Sequence, residues 1–194
     1  MANIDQAFGM RPIAKVGSAP GGTTGTTKYS IASGAAGMFT GDPVKPKNDG
    51  TIIPATAGDP IRGVFMGCFY TDPGTSKPTY NNTYPNGTAA SDAIAYIADD
   101  PDQLYVVQQD SVAAEIVAAD LNLNADLVFG AGSTTTGISG VEIDSSSKNT
   151  TAALQVKLID FYDTPSNDAT ASHSQLVVKI NNSDMNGGTG TTGL

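Results

Sequence analysis

The sequence predicts a mainly β fold, a small β-barrel or β-sandwich with one short helix and an extended amino-terminal arm. Three observations carry that expectation. Charged residues make up only 15% of the chain, against about 25% in an ordinary globular protein, so long salt-bridged helices have little to draw on. Its 22 Gly and 11 Pro fall between short apolar runs, where they punctuate turns and strands. The stretch from Ile94 to Asp110, IAYIADDPDQLYVVQQD, reads as strand, tight acidic turn, strand. Pro101 presets φ within that turn, and the Asp side chains around it fold back onto nearby N–H groups. Leu104 to Val107 then resume a β-branched and aromatic pattern. The two runs are expected to form a hairpin at the centre of the sheet.

Residues 1–28 read as the arm, 29–183 as the β-rich domain and 184–194 as a flexible tail. In the arm, apolar side chains are spaced irregularly, and Gly9 and Pro12 break any helix. Large apolar residues on such a segment favour ordering against a partner. Ile4, Phe8, Met10, Arg11 and Ile13 are therefore its candidate contact residues. A flexible Gly/Thr run, SAPGGTTGTTK, follows.

Within the domain, Gly41-Asp42-Pro43-Val44 recurs as Gly58-Asp59-Pro60-Ile61, which suggests two similar entries from turn to strand. Asp49-Gly50 before Ile52 and Ile53 is a strong hairpin signal. The most buried strand is expected at IRGVFMGCFY, with Ile61, Phe65 and Phe69 on one face and Val64, Met66 and Cys68 on the other. Residues 72–92 read as a loop carrying Tyr80 and Tyr84, the candidate contact aromatics. Asp110-Ser111 can cap a short helix over VAAEIVAADL, its apolar stripe made by Val112, Ile116 and Val117. Short strands follow at ADLVFG and near Val141. Two half-buried strands close the domain. In the first, Leu154, Val156 and Leu158 alternate before the face crosses to Ile159 and Phe161; in the second, Leu176, Val178 and Ile180 alternate.

The chemistry of the residues points away from several functions. A net charge of −9 and scattered basic residues argue against nucleic-acid binding. No apolar stretch approaches the roughly 18 residues of a membrane span, and MANIDQAFGMRP lacks the pattern of a signal peptide, so synthesis in a cytoplasm is expected. The single cysteine, Cys68, reads as a small core residue. His173 is the only histidine, and no nucleophile elbow accompanies it, so no catalytic residue and no enzyme activity are expected. A transition-metal site needs more His or Cys than the chain holds, and no cofactor is expected. Asp99, Asp100 and Asp102, and the series Asp120, Asn122, Asn124, Asp126, offer hard oxygens of the kind calcium takes. The second series lacks the glycine and closing glutamate of a calcium loop. GAGSTTTG, from Gly130 to Gly137, lacks the lysine of a phosphate loop.

The order of several short pieces carries more than any one of them. AFGMRPI (Ala7 to Ile13), Phe39 to Val44, Ala57 to Val64, Tyr96 to Asp102, Gln108 to Ser111, Leu123 to Val128 and Gly130 to Gly137 occur in series. This series resembles the head decoration, or cement, proteins of tailed bacteriophages. The resemblance implies a β-rich, β-tulip-like protein on the outer surface of an HK97-type capsid in the virion, made in the host cytoplasm. It further implies homotrimers at threefold and quasi-threefold positions that bind the major capsid protein and stabilise the expanded head. Three rival readings are a head-fibre or tail component, a carbohydrate-binding module motivated by the Tyr80 and Tyr84 loop, and a hydrolase that would depend on His173.

Overall fold

The apolar alternation of the sequence becomes fifteen strands in the computed structural model, which describes residues 3–17, 25–112 and 115–193. In chain order they are β1 (Arg11–Lys15), β2 (Thr27–Ser30), β3 (Met38–Phe39), β4 (Pro43–Pro46), β5 (Ile52–Pro54), β6 (Gly63–Thr71), β7 (Pro78–Asn81) and β8 (Thr83–Tyr84). Next come β9 (Ile94–Ala98), β10 (Gln103–Gln108), β11 (Asn124–Ala125), β12 (Leu127–Gly130), β13 (Gly140–Ile143), β14 (Val156–Phe161) and β15 (Gln175–Ile180). One sheet runs β1-β10-β15-β14-β11. The other runs β2-β9-β6-β4-β5, with β7 added beside β6. Two ribbons, β3-β8 and β12-β13, complete an arrangement that does not close into a barrel and is in keeping with a β-sandwich. Most of the Gly/Thr run after β1, residues 18–24, lies outside the described residues.

Two apolar clusters fill the fold, and β6 serves both. Tyr105, Val107, Leu158, Leu176 and Val178 of the first sheet pack with the β12-β13 ribbon and with Val64. Phe65, Cys68 and Tyr70 pack instead with Val44, Ile52 and Ile97 of the second sheet. Simple alternation along β6 would place Cys68 with Val64. A bulge prevents it: Phe65 pairs with Ile97 and Gly67 with Tyr96, so Met66 is an extra residue and the faces exchange beyond it. Gly67 makes this possible at φ +148°, a conformation that side-chain-bearing residues rarely adopt.

The expected hairpin between Ile94 and Asp110 is a corner. β9 pairs with β2 and β6 in one sheet, whereas β10 pairs with β1 and β15 in the other. The turn chemistry of Asp99 to Asp102 serves either geometry; the partners on both sides of each strand decide which one forms. Asp99 accepts from Thr27 Oγ1 at 2.8 Å and Tyr29 OH at 2.6 Å, both on β2. Asp100 pairs with Lys15 of β1, and Asp102 with Lys179 of β15 at 2.8 Å. Beneath them the fully buried Tyr105 donates its hydroxyl to Ala98 O at 2.9 Å.

Elsewhere the two Gly-Asp-Pro pieces do build the same turn. Asp42 accepts from Phe39 N and Asp59 from Thr56 N, each at 2.8 Å, while the amides of both Asp residues donate back to the same partners' carbonyls. Asp49-Gly50 sits in the β4-β5 hairpin as expected. On β14 the crossing of faces is a bulge at Ile159, after which Phe161 returns to the first core. The short helix does not form: only a 3₁₀ turn, Ala118–Asp120, is present, and Ala113 and Ala114 lie outside the described residues. Side chains take up the backbone donors instead, Gln109 Oε1 binding Ile116 N at 2.8 Å and Asp120 binding Val117 N at 2.9 Å. Of the expected stripe only Ile116 is buried; Val112 and Val117 are exposed. Residues 72–92 are more ordered than a loop, since β7 folds back on β6 and β8 pairs with β3. The tail from Asp184 is tied down as well, through Arg62 with Asp184, Asn124 with Thr191 O, and Gly193 N with Thr150 O.

Two expected outcomes follow from these constraints. Gly67→Ala strains the bulge and brings a Cβ to 3.1 Å from Asn81 O, and should cost about 1–3 kcal/mol in urea unfolding. Lys15 beside Asp100 holds that carboxyl below the usual carboxylate range. A carboxyl whose pKa is lower folded than unfolded stabilises at neutral pH and loses that contribution as pH falls through its folded value. Asp100→Asn should therefore lower the urea midpoint at pH 7, with the gap from the parent closing as pH falls through the depressed folded value of that carboxyl.

Candidate interaction surface

The segment read as a free arm is built into the first sheet. Gly9 turns at φ +70° against Ser139 and Gly41, so closely that a Cβ there would sit 2.5 Å from Ser139 Cβ. Met10 follows with no exposed surface, in the first core, its N–H donating to Gly41 O at 2.9 Å. Met10 is therefore a core residue and leaves the set of contact candidates. Arg11 to Lys15 then pair with β10 as the edge strand β1, where Pro12 can be tolerated because an edge needs fewer donors. An irregularity between Pro12 and Ala14 leaves Ile13 out of register and bends the edge.

The other candidates divide. Arg11 lies 5.4 Å from the Phe8 ring centroid and 5.7 Å from that of Tyr162, so its guanidinium rests against two aromatic faces. Ile4 is exposed, and its carbonyl accepts from Gln108 Nε2 at 2.8 Å. Tyr80 on β7 is 74% exposed, its ring 4.7 Å from that of Phe69. Tyr84 is 1% exposed, packed edge-on to Tyr70 with its hydroxyl donating to Thr88 O at 2.9 Å, and so offers nothing to a partner. Ile13 and Tyr80 belong to different sheets, and the structure does not unite the arm and the loop into one site.

Beside β1 lies a surface the sequence did not reveal. Pro12, Ile13, Leu104, Ile159, Phe161 and Val177 line an open groove of about 860 Å³, with Lys15, Asp160 and Asp163 also at its walls. Its origin is the pleat. Tyr105, Leu158 and Val178 point into the core, so Leu104, Ile159 and Val177 come to the opposite face. The sheet thus carries apolar residues on both sides, and the adjacent apolar pairs Leu104-Tyr105, Leu158-Ile159 and Val177-Val178 were the one available signal.

Chemistry fares poorly by comparison. Ser111 Oγ accepts the backbone N–H of His173 at 2.6 Å and donates to Glu115 at 2.8 Å, so it makes no serine–imidazole pair. Burial pushes the Cys68 thiol up to about 12, which leaves it protonated and inert. The acidic series also diverges. Asp120 binds Lys148 at 2.8 Å, Asn124 donates to Thr151 O and Thr191 O, and Asp126 accepts from Gln155 N. With three carboxylates of the β9–β10 corner spent on three strands, both runs of oxygens are structural. No family model, no curated protein and no solved structure matches the chain.

Proposed function

We propose that the chain is a non-enzymatic structural protein of a phage virion, which binds the outer surface of an HK97-type capsid as a homotrimer and stabilises the expanded head. The observation that carries this reading is the apolar groove beside β1, formed by Ile13, Leu104, Ile159 and Val177 on the outer face of the first sheet. A surface of this kind suits protein contact. Its apolar part, Ile13, Leu104, Ile159 and Val177, desolvates cheaply, and Lys15, Asp160 and Asp163 beside it can pair with polar groups of a partner. Most of its lining belongs to strands β1, β10, β14 and β15, so little ordering entropy is lost on docking. The series of short motifs from Ala7 to Gly137 supports the capsid as the partner. A shell presents many equivalent junctions, and a trimer joins three modest contacts into one strong restraint at each.

A carbohydrate-binding reading is the weaker one. Sugar faces need aromatic platforms, and with Tyr84 buried, Tyr80 is the one largely exposed aromatic among the described residues.

The test is co-sedimentation with expanded, undecorated capsids, paired with analytical ultracentrifugation of the protein alone. Deleting residues 1–28 would strip β1 from the sheet and Met10 from the core, so point changes in the groove are the better probe. Saturable binding near one protomer per capsid subunit is expected, weakened at least about tenfold in Val177→Asp. Equal binding by that variant would move the contact off the groove. An absence of capsid binding by the parent chain would sink the capsid role.

A further inference from the structure

Three side chains from distant parts of the chain meet where the amino-terminal segment crosses the domain: Asp5, Glu142 on β13, and His173 just before β15. One ligand atom from each lies within 4.8 Å of the others, and His173 Nδ1 is 3.7 Å from Asp5 Oδ1, too far for a hydrogen bond. Glu142 and His173 are half-buried residues, yet Glu142 Oε1 and His173 Nδ1 are sealed from solvent and make no hydrogen bond. Orphaned polar atoms on two members of one cluster are unusual, because desolvated donors and acceptors nearly always find partners.

The charges around the cluster have one sign. Asp5 and Asp110 are the acidic groups around Glu142, and His173 is the neighbouring group of opposite character. A buried carboxylate placed beside two others is destabilising unless a cation joins it.

The surroundings hold the three residues in place. The buried Gln108 amide accepts from Gln6 N at 2.9 Å and donates to Ile4 O at 2.8 Å, gripping the backbone on both sides of Asp5. The same amide donates to His173 O at 2.9 Å, while Ser111 Oγ takes the His173 N–H. Asn3 exchanges hydrogen bonds with Asp168 and donates to Ser172 O, tethering the segment to the loop that carries His173. A parallel bridge between Gln109 and Ile143 sets Glu142 beside the end of β10.

We propose that Asp5, Glu142 and His173 form a binding site for a divalent transition-metal ion of the zinc class, and that the bound ion fastens residues 3–9 to the domain. One imidazole with two carboxylates is a donor set for Zn²⁺, Co²⁺ or Mn²⁺ rather than an all-oxygen set for Ca²⁺. Metal–ligand bonds of about 2.0–2.2 Å put ligand atoms roughly 3–4 Å apart, so a set already within 4.8 Å needs only small side-chain rotations to close on an ion. Counting His and Cys along the sequence missed this set, because two of its three members are carboxylates that only the fold brings together. The inference does not depend on the capsid role.

The experiment is calorimetric titration of chelator-treated full-length protein with ZnCl₂, repeated with Co²⁺ to read the ligand field by visible absorption. One ion per chain is expected, with affinity reduced at least about a hundredfold in Glu142→Gln and in His173→Ala. Glu142→Gln keeps the side-chain shape and removes the crowded charge, so without metal its melting temperature should rise by about 2–4 °C. Lost binding in that variant is then not lost folding. Amide exchange at residues 3–9 should slow with Zn²⁺ in the parent and not in Glu142→Gln. No saturable binding up to about 1 mM Zn²⁺, or binding unchanged in both variants, would overturn the site. Binding without slowed exchange at residues 3–9 would overturn the fastening role.

Discussion

The corner from Asp99 to Asp102 is the constraint on which the two sheets depend. β9 ends in one sheet and β10 begins in the other, so four residues must reverse the chain, change layers and hold both strands in register. Three carboxylates meet that demand by binding three different strands, β2 through Thr27 and Tyr29, β1 through Lys15, and β15 through Lys179. Each pair by itself is a modest surface interaction. Together they tie the ends of three strands to one turn, with the Tyr105–Ala98 hydrogen bond beneath them shut away from water. An acidic chain with few cations spends two of its lysines here, which fits a structural use of the turn better than an open calcium site.

β6 supplies the second link between the layers. Val64 faces one core and Phe65 the other, and the bulge at Met66 then turns Cys68 and Tyr70 onto the Phe65 side. Without the bulge, strict alternation would send both Cys68 and Tyr70 to the face of Val64. One extra residue lets the lower part of β6 serve the second core almost alone, which leaves the first to the β12-β13 ribbon and the first sheet.

Local chemistry was legible in the sequence wherever it decides local structure. The strands at β6, β14 and β15, the Asp49-Gly50 hairpin and the twin Gly-Asp-Pro turns follow from period-two alternation and from Asp and Gly turn preferences. What could not be read is partnership at a distance. An acidic turn between two strands is the same sequence whether the strands pair with each other or with strands elsewhere. VAAEIVAADL has helical spacing, yet Gln109 and Asp120 capture the amides that a helix would use. Tyr80 and Tyr84 are alike in composition and context, but the pairing of β8 with β3 buries one and leaves the other on the surface. Bulges belong to the same class, since a single unpaired residue has no signature beyond a nearby glycine.

The amino-terminal segment shows how the two candidate sites are coupled. Its apolar residues first read as a tail awaiting a partner, and most of that partner is the domain itself. Met10 fills the core, Arg11 to Lys15 close the sheet edge, and Gln108 grips the backbone around Asp5. Ile13 is left over, and it stands in the groove with Leu104, Ile159 and Val177. Residues 3–9 hold little core and are kept in place by hydrogen bonds from Asn3 and Gln108 and by packing at Phe8. They lead directly into β1, so any force that pins Asp5 also restrains the edge strand that forms one wall of the groove. A cation at Asp5, Glu142 and His173 would act on that wall through a short, taut piece of chain. Its effect on docking would be pre-organisation, reducing the entropy lost when the groove is filled, without touching the docked partner.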